Sequence, residues 1–248
     1  GVTLIAAELG AGSLVGPGAH LLVWLDRASG TLGDADLDAA AIEVAREMSV
    51  AAAPATREIQ LPGGGRATVY LEQHMPPSDL VIVGAGHIAR PLCSIGAMLG
   101  FRVIILDDRP EFATRERFPE ATEVVKADFS APLHDIDLTP STHLVLVTRG
   151  HKYDFDALRD ALRRDVQPAY IGMVGSRRRV RAALEMLARE GISDDRLAAV
   201  HAPIGLDLGA ETPEEIAVAI AAEIVRLRRG GSGESLRDRE RVVERWVR

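Results

Sequence analysis

Residues 79–109 read DLVIVGAGHIARPLCSIGAMLGFRVIILDDR, and their pattern decides the fold. An apolar run at 80–83 predicts a strand. It ends at Gly84, Ala85, Gly86, His87, Ile88 and Ala89. Ile88, Leu92, Ile95 and Leu99 then recur at helical spacing. Gly100 stands where a left-handed glycine would stop that helix. A second apolar run, 103–106, ends in Asp107 and Asp108. Strand, glycine turn, helix, strand and acid form the dinucleotide-binding βαβ pattern. Gly84 permits the tight turn, Gly86 lets the backbone approach a pyrophosphate, and Ala89 allows close helix–strand packing. The free N–H groups at the helix start favour an anion. Asp107 stands where an acid usually accepts from a ribose hydroxyl. Pro91 falls close to the limit at which a missing N–H is harmless to a helix.

The pattern continues on both sides. Downstream, strands are predicted at 122–125, 143–147 and 169–174, with helices at 155–164 and from 176 to Glu190, the latter closed by Gly191. Alternation of this kind predicts an α/β, Rossmann-like, doubly wound parallel sheet. Right-handed crossovers would bring the loops after its strands to one edge. Thr212-Pro213-Glu214-Glu215 is a capping box that opens a helix carrying Ile216, Ile220, Ile224 and Leu227, ending near Gly230. Upstream, residues 1–75 read as a small α+β domain. It has strands at 4–7 and 21–25, a glycine-rich loop at 10–18, a helix at 36–48 capped by Asp34 or Asp36, and a hairpin of 56–60 with 67–72. Residues 75–78 (Met-Pro-Pro-Ser) read as a stiff linker. The Rossmann-like domain is expected over 79–230. A charged tail follows at 231–248, with Val242, Val243 and Trp246 on a short amphipathic piece.

Composition removes several function classes. The 248 residues suffice for one large or two small domains. A net charge of −7 argues against a broad nucleic-acid surface. A single cysteine, Cys93, excludes internal disulfides and a multi-cysteine metal site. Its place one residue after the core position Leu92 predicts a packed thiol. No apolar run reaches membrane-spanning length, and no secretory leader is visible, so a cytoplasmic location without membrane attachment is expected.

The candidate ligand site is the set of strand-end turns: Gly84, Ala85, Gly86, His87 and Ile88; Asp107, Asp108 and Arg109; Thr148, Arg149, Gly150 and His151; and Gly175, Ser176, Arg177 and Arg178. The last group combines a glycine, a hydroxyl and cations at a helix start. Cations there oppose the helix dipole, so an anionic ligand would explain them. Arg binds phosphate bidentately. The alternative is a solvated basic first turn. His87, His151 and His201 sit at strand-end or loop positions from which all three could approach one ligand; a lone loop histidine is more often a hydrogen-bonding residue than a catalyst, although His is the natural acid/base near neutral pH. Their spacing is not that of a metal site, and no nucleophile elbow or Walker A sequence is present. No catalytic residue is assigned.

Five segments, GAGHIARPL (84–92), DDRPEFA (107–113), TRGHKYD (148–154), YIGMVGSRRRV (170–180) and HAPIGLDLGAETPEEIAVAI (201–220), resemble the XdhC/CoxI family. Residues 12–24 and 30–45 resemble its smaller domain more loosely. The resemblance implies a maturation factor for molybdenum hydroxylases such as xanthine dehydrogenase. Such a factor binds the molybdenum cofactor (molybdopterin or its cytosine dinucleotide), protects it during sulfuration and hands it to the enzyme. A cysteine desulfurase is a further implied partner. The chain departs from the family pattern in its first domain: Gly33-Asp34-Ala35-Asp36-Leu37 stands where the family usually has Gly-Gly-Cys-x-Glu, and Leu14-Val15 where it has Pro-Arg. The residues themselves leave a second reading open, an NAD(P)-dependent oxidoreductase, and a third, a nucleotide-sensing module. A homodimer through the N-terminal sheet is a further expectation.

Overall fold

The computed structural model describes residues 1–8, 16–24, 26–48, 54–61, 64–73 and 77–236, and the backbone alone at 151–152. The chain divides into two compact units, Gly1–Pro76 and Pro77–Arg248.

In the first unit, β1 (Val2–Glu8), β2 (His20–Val23), β3 (Ala28–Gly30), β4 (Ala55–Gln60) and β5 (Arg66–Leu71) form an antiparallel sheet of order β3-β2-β1-β5-β4. Helix α1 (Ala35–Glu47) packs Leu37 and Ala41 onto Val2, Leu4, Leu21, Val69 and Leu71. Asp34 caps it, accepting from the backbone N–H groups of Asp36 and Leu37. The expected hairpin is β4–β5, in which Ile59 pairs with Ala67. Strand β3 is additional to the strands expected from periodicity. Its three residues are all exposed, so they carry no alternation to detect. Most of the glycine-rich loop, including Leu14 and Val15, lies outside the described residues. So do part of the 75–78 linker and the tail residues Val242, Val243 and Trp246.

The second unit contains β6 (Asp79–Val83), α2 (Ala89–Met98), β7 (Arg102–Asp107), β8 (Glu123–Lys126), β9 (His143–Leu146), α3 (His151–Arg163), β10 (Tyr170–Met173), α4 (Arg177–Arg189), α5 (Asp194–Ala198), β11 (Val200–His201) and α6 (Pro213–Arg229). The six strands form one sheet of order β11-β10-β9-β6-β7-β8, parallel throughout. Counted along the unit this is 3-2-1-4-5-6, the doubly wound dinucleotide-binding order, with its switch point between β6 and β9. Helix α3 begins four residues earlier than its hydrophobic pattern predicts, because its first turn, 151–154, is polar. Helix α5 and strand β11 are too short to show a period.

Side-chain alternation sorts the strands into two cores. Leu80, Ile82, Val103, Ile105 and Val145 face α2 and α6. Val81, Val83, Ile104, Leu106, Leu144 and Leu146 face α3 and α4. A strand covered on both faces must be apolar at every position, which is why 80–83 and 103–106 are continuous runs. Gly96 leaves room for the Leu80 side chain, since a Cβ there would come within 2.5 Å of it. Pro91 is the third residue of α2, where no intrahelical donor is needed. Gly100 follows α2 with φ +81°, the left-handed stop anticipated for it. Among the described residues no helix is long and apolar enough to cross a membrane.

One polar cluster lies inside this core. Glu223 of α6 is buried and accepts from the Tyr170 hydroxyl at 2.5 Å and the Gly205 N–H at 3.0 Å. His201 stacks on Tyr170, with centroids 4.8 Å apart, and its Nδ1 is 3.7 Å from Glu223. Burial, reinforced by Glu223, raises the Tyr170 pKa and holds its hydroxyl as a donor. Removing that donor leaves part of a buried carboxylate unpaired. Tyr170→Phe is therefore expected to lower unfolding free energy by about 1–3 kcal/mol in urea titration; an unchanged midpoint would show the cluster to be energetically idle.

Candidate functional site

Four adjacent strands, β10, β9, β6 and β7, carry the four turns singled out in the sequence, and parallel pairing sets them along one edge. Three of the turns are joined by direct contacts. At the end of β6 the Gly84 N–H donates to Leu106 O at 2.7 Å, while the Val147 N–H of the next turn donates to Val83 O at 2.9 Å. Gly84 has φ +108°, and a Cβ there would lie 2.6 Å from Val147 O. Only glycine meets both conditions. Gly86 differs: nothing lies within 4 Å of the Cβ it would carry. Its backbone faces open space, as an approach to a ligand requires. His87 is exposed, whereas Ile88 packs into the core beneath.

Asp107 has a different role from the one expected. The dinucleotide pattern predicts an acid turned outward to a ribose hydroxyl. Instead its side chain is 1% exposed and all its acceptor capacity faces inward. Oδ2 accepts from the Ala85 N–H at 2.7 Å and Arg109 Nη2 at 2.9 Å. Oδ1 accepts from the Arg109 N–H at 3.0 Å and Nε at 2.8 Å. Burial pushes the Asp107 pKa up, but the bonds from Arg109 and Ala85 outweigh it, and the carboxyl stays below the usual range. Arg109 is thereby committed as well. Its guanidinium lies 3.6 Å from the centroid of Phe112, and Arg117 covers the same ring at 4.6 Å. Arg117 also donates to Ala85 O at 3.4 Å. The segment after β7 therefore folds over the glycine turn. Arg117 was absent from the sequence-based site, since its contact depends on a 32-residue separation that no local pattern shows.

The third turn is internally braced. Thr148 Oγ1 donates to Gly150 O at 2.9 Å, and the Thr148 N–H donates to Asp154 Oδ1 at 3.0 Å. Gly150 N-caps α3 in an extended conformation. Arg149 reaches across to Asp108, Nη2 to Oδ2 at 2.8 Å. His151 is the first residue of α3, and its side chain lies outside the description. The fourth turn follows β10. Ser176 N-caps α4 without a side-chain hydrogen bond, and Ser176, Arg177, Arg178 and Arg179 are exposed. Among the described residues no ion pair engages Arg177 or Arg178, and none links them to the other three turns. His201 belongs to the buried Tyr170–Glu223 cluster rather than joining His87 and His151 at one ligand. Cys93 is buried in α2, and burial pushes its thiol up to about 11. Among the described residues no group of three His, Cys, Asp or Glu side chains is placed to hold a metal ion.

The edge is thus anion-attracting through three helix starts and the free cations of α4. Gly84→Ala combines a left-handed backbone with steric overlap, and a loss of about 3 kcal/mol or more is expected in denaturant titration. Gly86→Ala has room for its methyl and should fold with wild-type stability while obstructing a ligand. Equal destabilisation by the two would contradict this division of roles. Asp107 has a lowered folded-state pKa, so its stabilisation is complete above the unfolded value of about 3.9 and is lost as pH falls through the lower folded value. The stability gap between wild type and Asp107→Asn should accordingly be constant from pH 7 down to about 5 and close below about 4; a constant gap at pH 2–3 would argue that the carboxylate charge contributes nothing.

Comparison with known proteins agrees with this geometry. Residues 80–224 match the XdhC Rossmann domain. A protein of Escherichia coli K12 described as uncharacterized protein YqeB is 33% identical over 171 residues, covering 68% of this chain and 31% of that protein. A Bacillus subtilis protein described as a probable xanthine dehydrogenase component is 30% identical over 161 residues, covering 65% of this chain and 46% of that protein. The chain thus spans less than half the length of either relative. A crystal structure described as a xanthine dehydrogenase from Bacillus halodurans shares the fold over 96% of this chain and 94% of its own, with a TM-score of 0.55 at 20% identity. The match runs from the strand before the glycine turn through most of α6, so it takes in every turn of the crevice, and the chain belongs to the XdhC family.

Proposed function

We propose that this chain is an accessory factor for a molybdenum hydroxylase of the xanthine dehydrogenase type. It binds the molybdenum cofactor, as molybdopterin or its cytosine dinucleotide, at the strand edge, shelters it during sulfuration and passes it on. A cysteine desulfurase is the source of sulfur in this reading. The observation that carries it is the pair of unengaged cations, Arg177 and Arg178, at a helix start on the same strand edge as an open glycine turn, two strands away, in an XdhC Rossmann domain. Gly86 leaves space for an anionic group against the backbone, and the arginines supply charge partners for an anion farther along the same edge. The bound group would supply the redox chemistry of the recipient enzyme. The chain's own residues would bind, orient and shield it. The names of the Bacillus relatives support the choice of partner.

The 3-2-1-4-5-6 strand order favours a second reading, NAD(P) binding by an oxidoreductase or a nucleotide sensor. The inward commitment of Asp107 weighs against it, since the ribose acceptor of that pattern is occupied.

The test is ligand content. The protein is co-expressed in cells that make the cofactor, purified without oxygen and assayed for molybdenum and oxidised-pterin fluorescence. Near-stoichiometric pterin is expected. The double variant Arg177→Ala/Arg178→Ala should retain about a tenth or less, as loss of charge-assisted bonds implies. Protein free of pterin but carrying titratable NAD would replace the first reading with the second.

A further inference from the structure

The Asp108–Arg149 ion pair lies where a ligand would have to pass. The order β9-β6-β7 places the turn after β7 and the turn after β9 on either side of the glycine turn. A bridge between them, 2.8 Å long, therefore spans the mouth of the crevice. Only one oxygen of Asp108 takes part. Oδ1 is screened from solvent and has no hydrogen-bond partner among the described residues. A screened carboxylate oxygen without a donor is costly, and a donor brought by a ligand removes the cost. Asp107 cannot meet that donor, because both its oxygens are taken by Ala85 and Arg109. Arg149 also hydrogen-bonds Tyr153 and lies over its ring at 5.2 Å, but its side chain is 39% exposed and its five N–H groups exceed its two partners, Asp108 and Tyr153, so it can meet an anion as well.

We propose that Asp108, not Asp107, is the residue that discriminates among ligands at this crevice. On binding, Arg149 leaves Asp108 for an anionic group of the ligand, a phosphate or pyrophosphate. Asp108 then accepts from a hydroxyl or ring N–H adjacent to that group. The ligand class is one that carries phosphate and neutral donors side by side, as a pterin or a ribose does. An anion without donors is disfavoured, because it takes Arg149 and leaves the Asp108 charge beside it with only Arg109, already bonded to Asp107, as compensation. The proposal rests on reading the strand edge as the site of a phosphate-bearing cofactor.

The experiment compares wild type with Asp108→Ala, Asp108→Asn and Arg149→Ala, each as the full chain. Two measurements are made: inorganic pyrophosphate affinity by calorimetry, and pterin retained after co-expression. Thermal midpoints monitor folding, and Asp108→Asn preserves volume should the alanine variant fold poorly. Both Asp108 variants should bind pyrophosphate about threefold to tenfold more tightly than wild type. Asp108→Ala should retain less than about a third of the wild-type pterin, while Arg149→Ala should lose both ligands. Pyrophosphate affinity unchanged or weakened in both Asp108 variants overturns the proposal, as does full pterin retention by Asp108→Ala. Wild type that takes up neither probe overturns the reading of the strand edge itself, and the proposal with it. Wild type that binds pyrophosphate but never pterin overturns only the identity of the cofactor, and the pyrophosphate comparison still decides the role of Asp108.

Discussion

The carboxylate of Asp107 is the contact on which this edge of the protein depends. It takes one N–H from the turn after β6 and three donors from Arg109, and so ties the ends of two neighbouring strands together. Burying a charge is costly, and removing one partner of such a pair leaves the other uncompensated, a loss of about 3–5 kcal/mol in comparable buried pairs. Here the cost is offset by two hydrogen bonds to each oxygen and by the adjacent guanidinium. The result is a glycine turn whose first N–H is already occupied and whose shape is fixed from behind. Gly84 and the Phe112–Arg117 segment complete the support, one from the β9 side and one from above.

The same pairing sets the electrostatics of the edge. Asp107 offsets Arg109, and Asp108 offsets Arg149. The arginines of the turns after β7 and β9 are therefore matched by acids, leaving Arg117 over the glycine turn and the arginines after β10 without an ion pair among the described residues. Uncompensated positive charge along this edge is therefore concentrated at the start of α4. This asymmetry follows from which acids fall two residues before an arginine or across from one, and not from the overall charge of −7.

Much of the fold was legible because burial on both faces writes a strand as an unbroken apolar run. Residues 80–83, 103–106 and 144–147 illustrate this, and the capping box at Thr212 marks the start of α6 in the same local way. Elements without enough length to show a period, β3, α5 and β11, were not. At the site, the positions of the four turns could be read, since each follows a strand in a parallel sheet. The direction of the Asp107 side chain could not, because an acid after the second strand looks the same whether it faces a ribose or a backbone N–H. Arg117 over Ala85 and Glu223 under Tyr170 are likewise long-range contacts between residues that local pattern leaves unremarkable.

Cys93 is the one thiol in the 248 residues, and it is sealed inside α2 with its pKa pushed up to about 11. A sulfur carrier needs an accessible thiolate that can take up a sulfane atom as a persulfide and present it to an acceptor. Neither condition is met at Cys93. Nor is there a second cysteine here to relay the atom onward, the Gly-Gly-Cys position being filled by Gly33-Asp34-Ala35. Within these 248 residues, therefore, no thiol is placed to carry a sulfur atom to the strand edge.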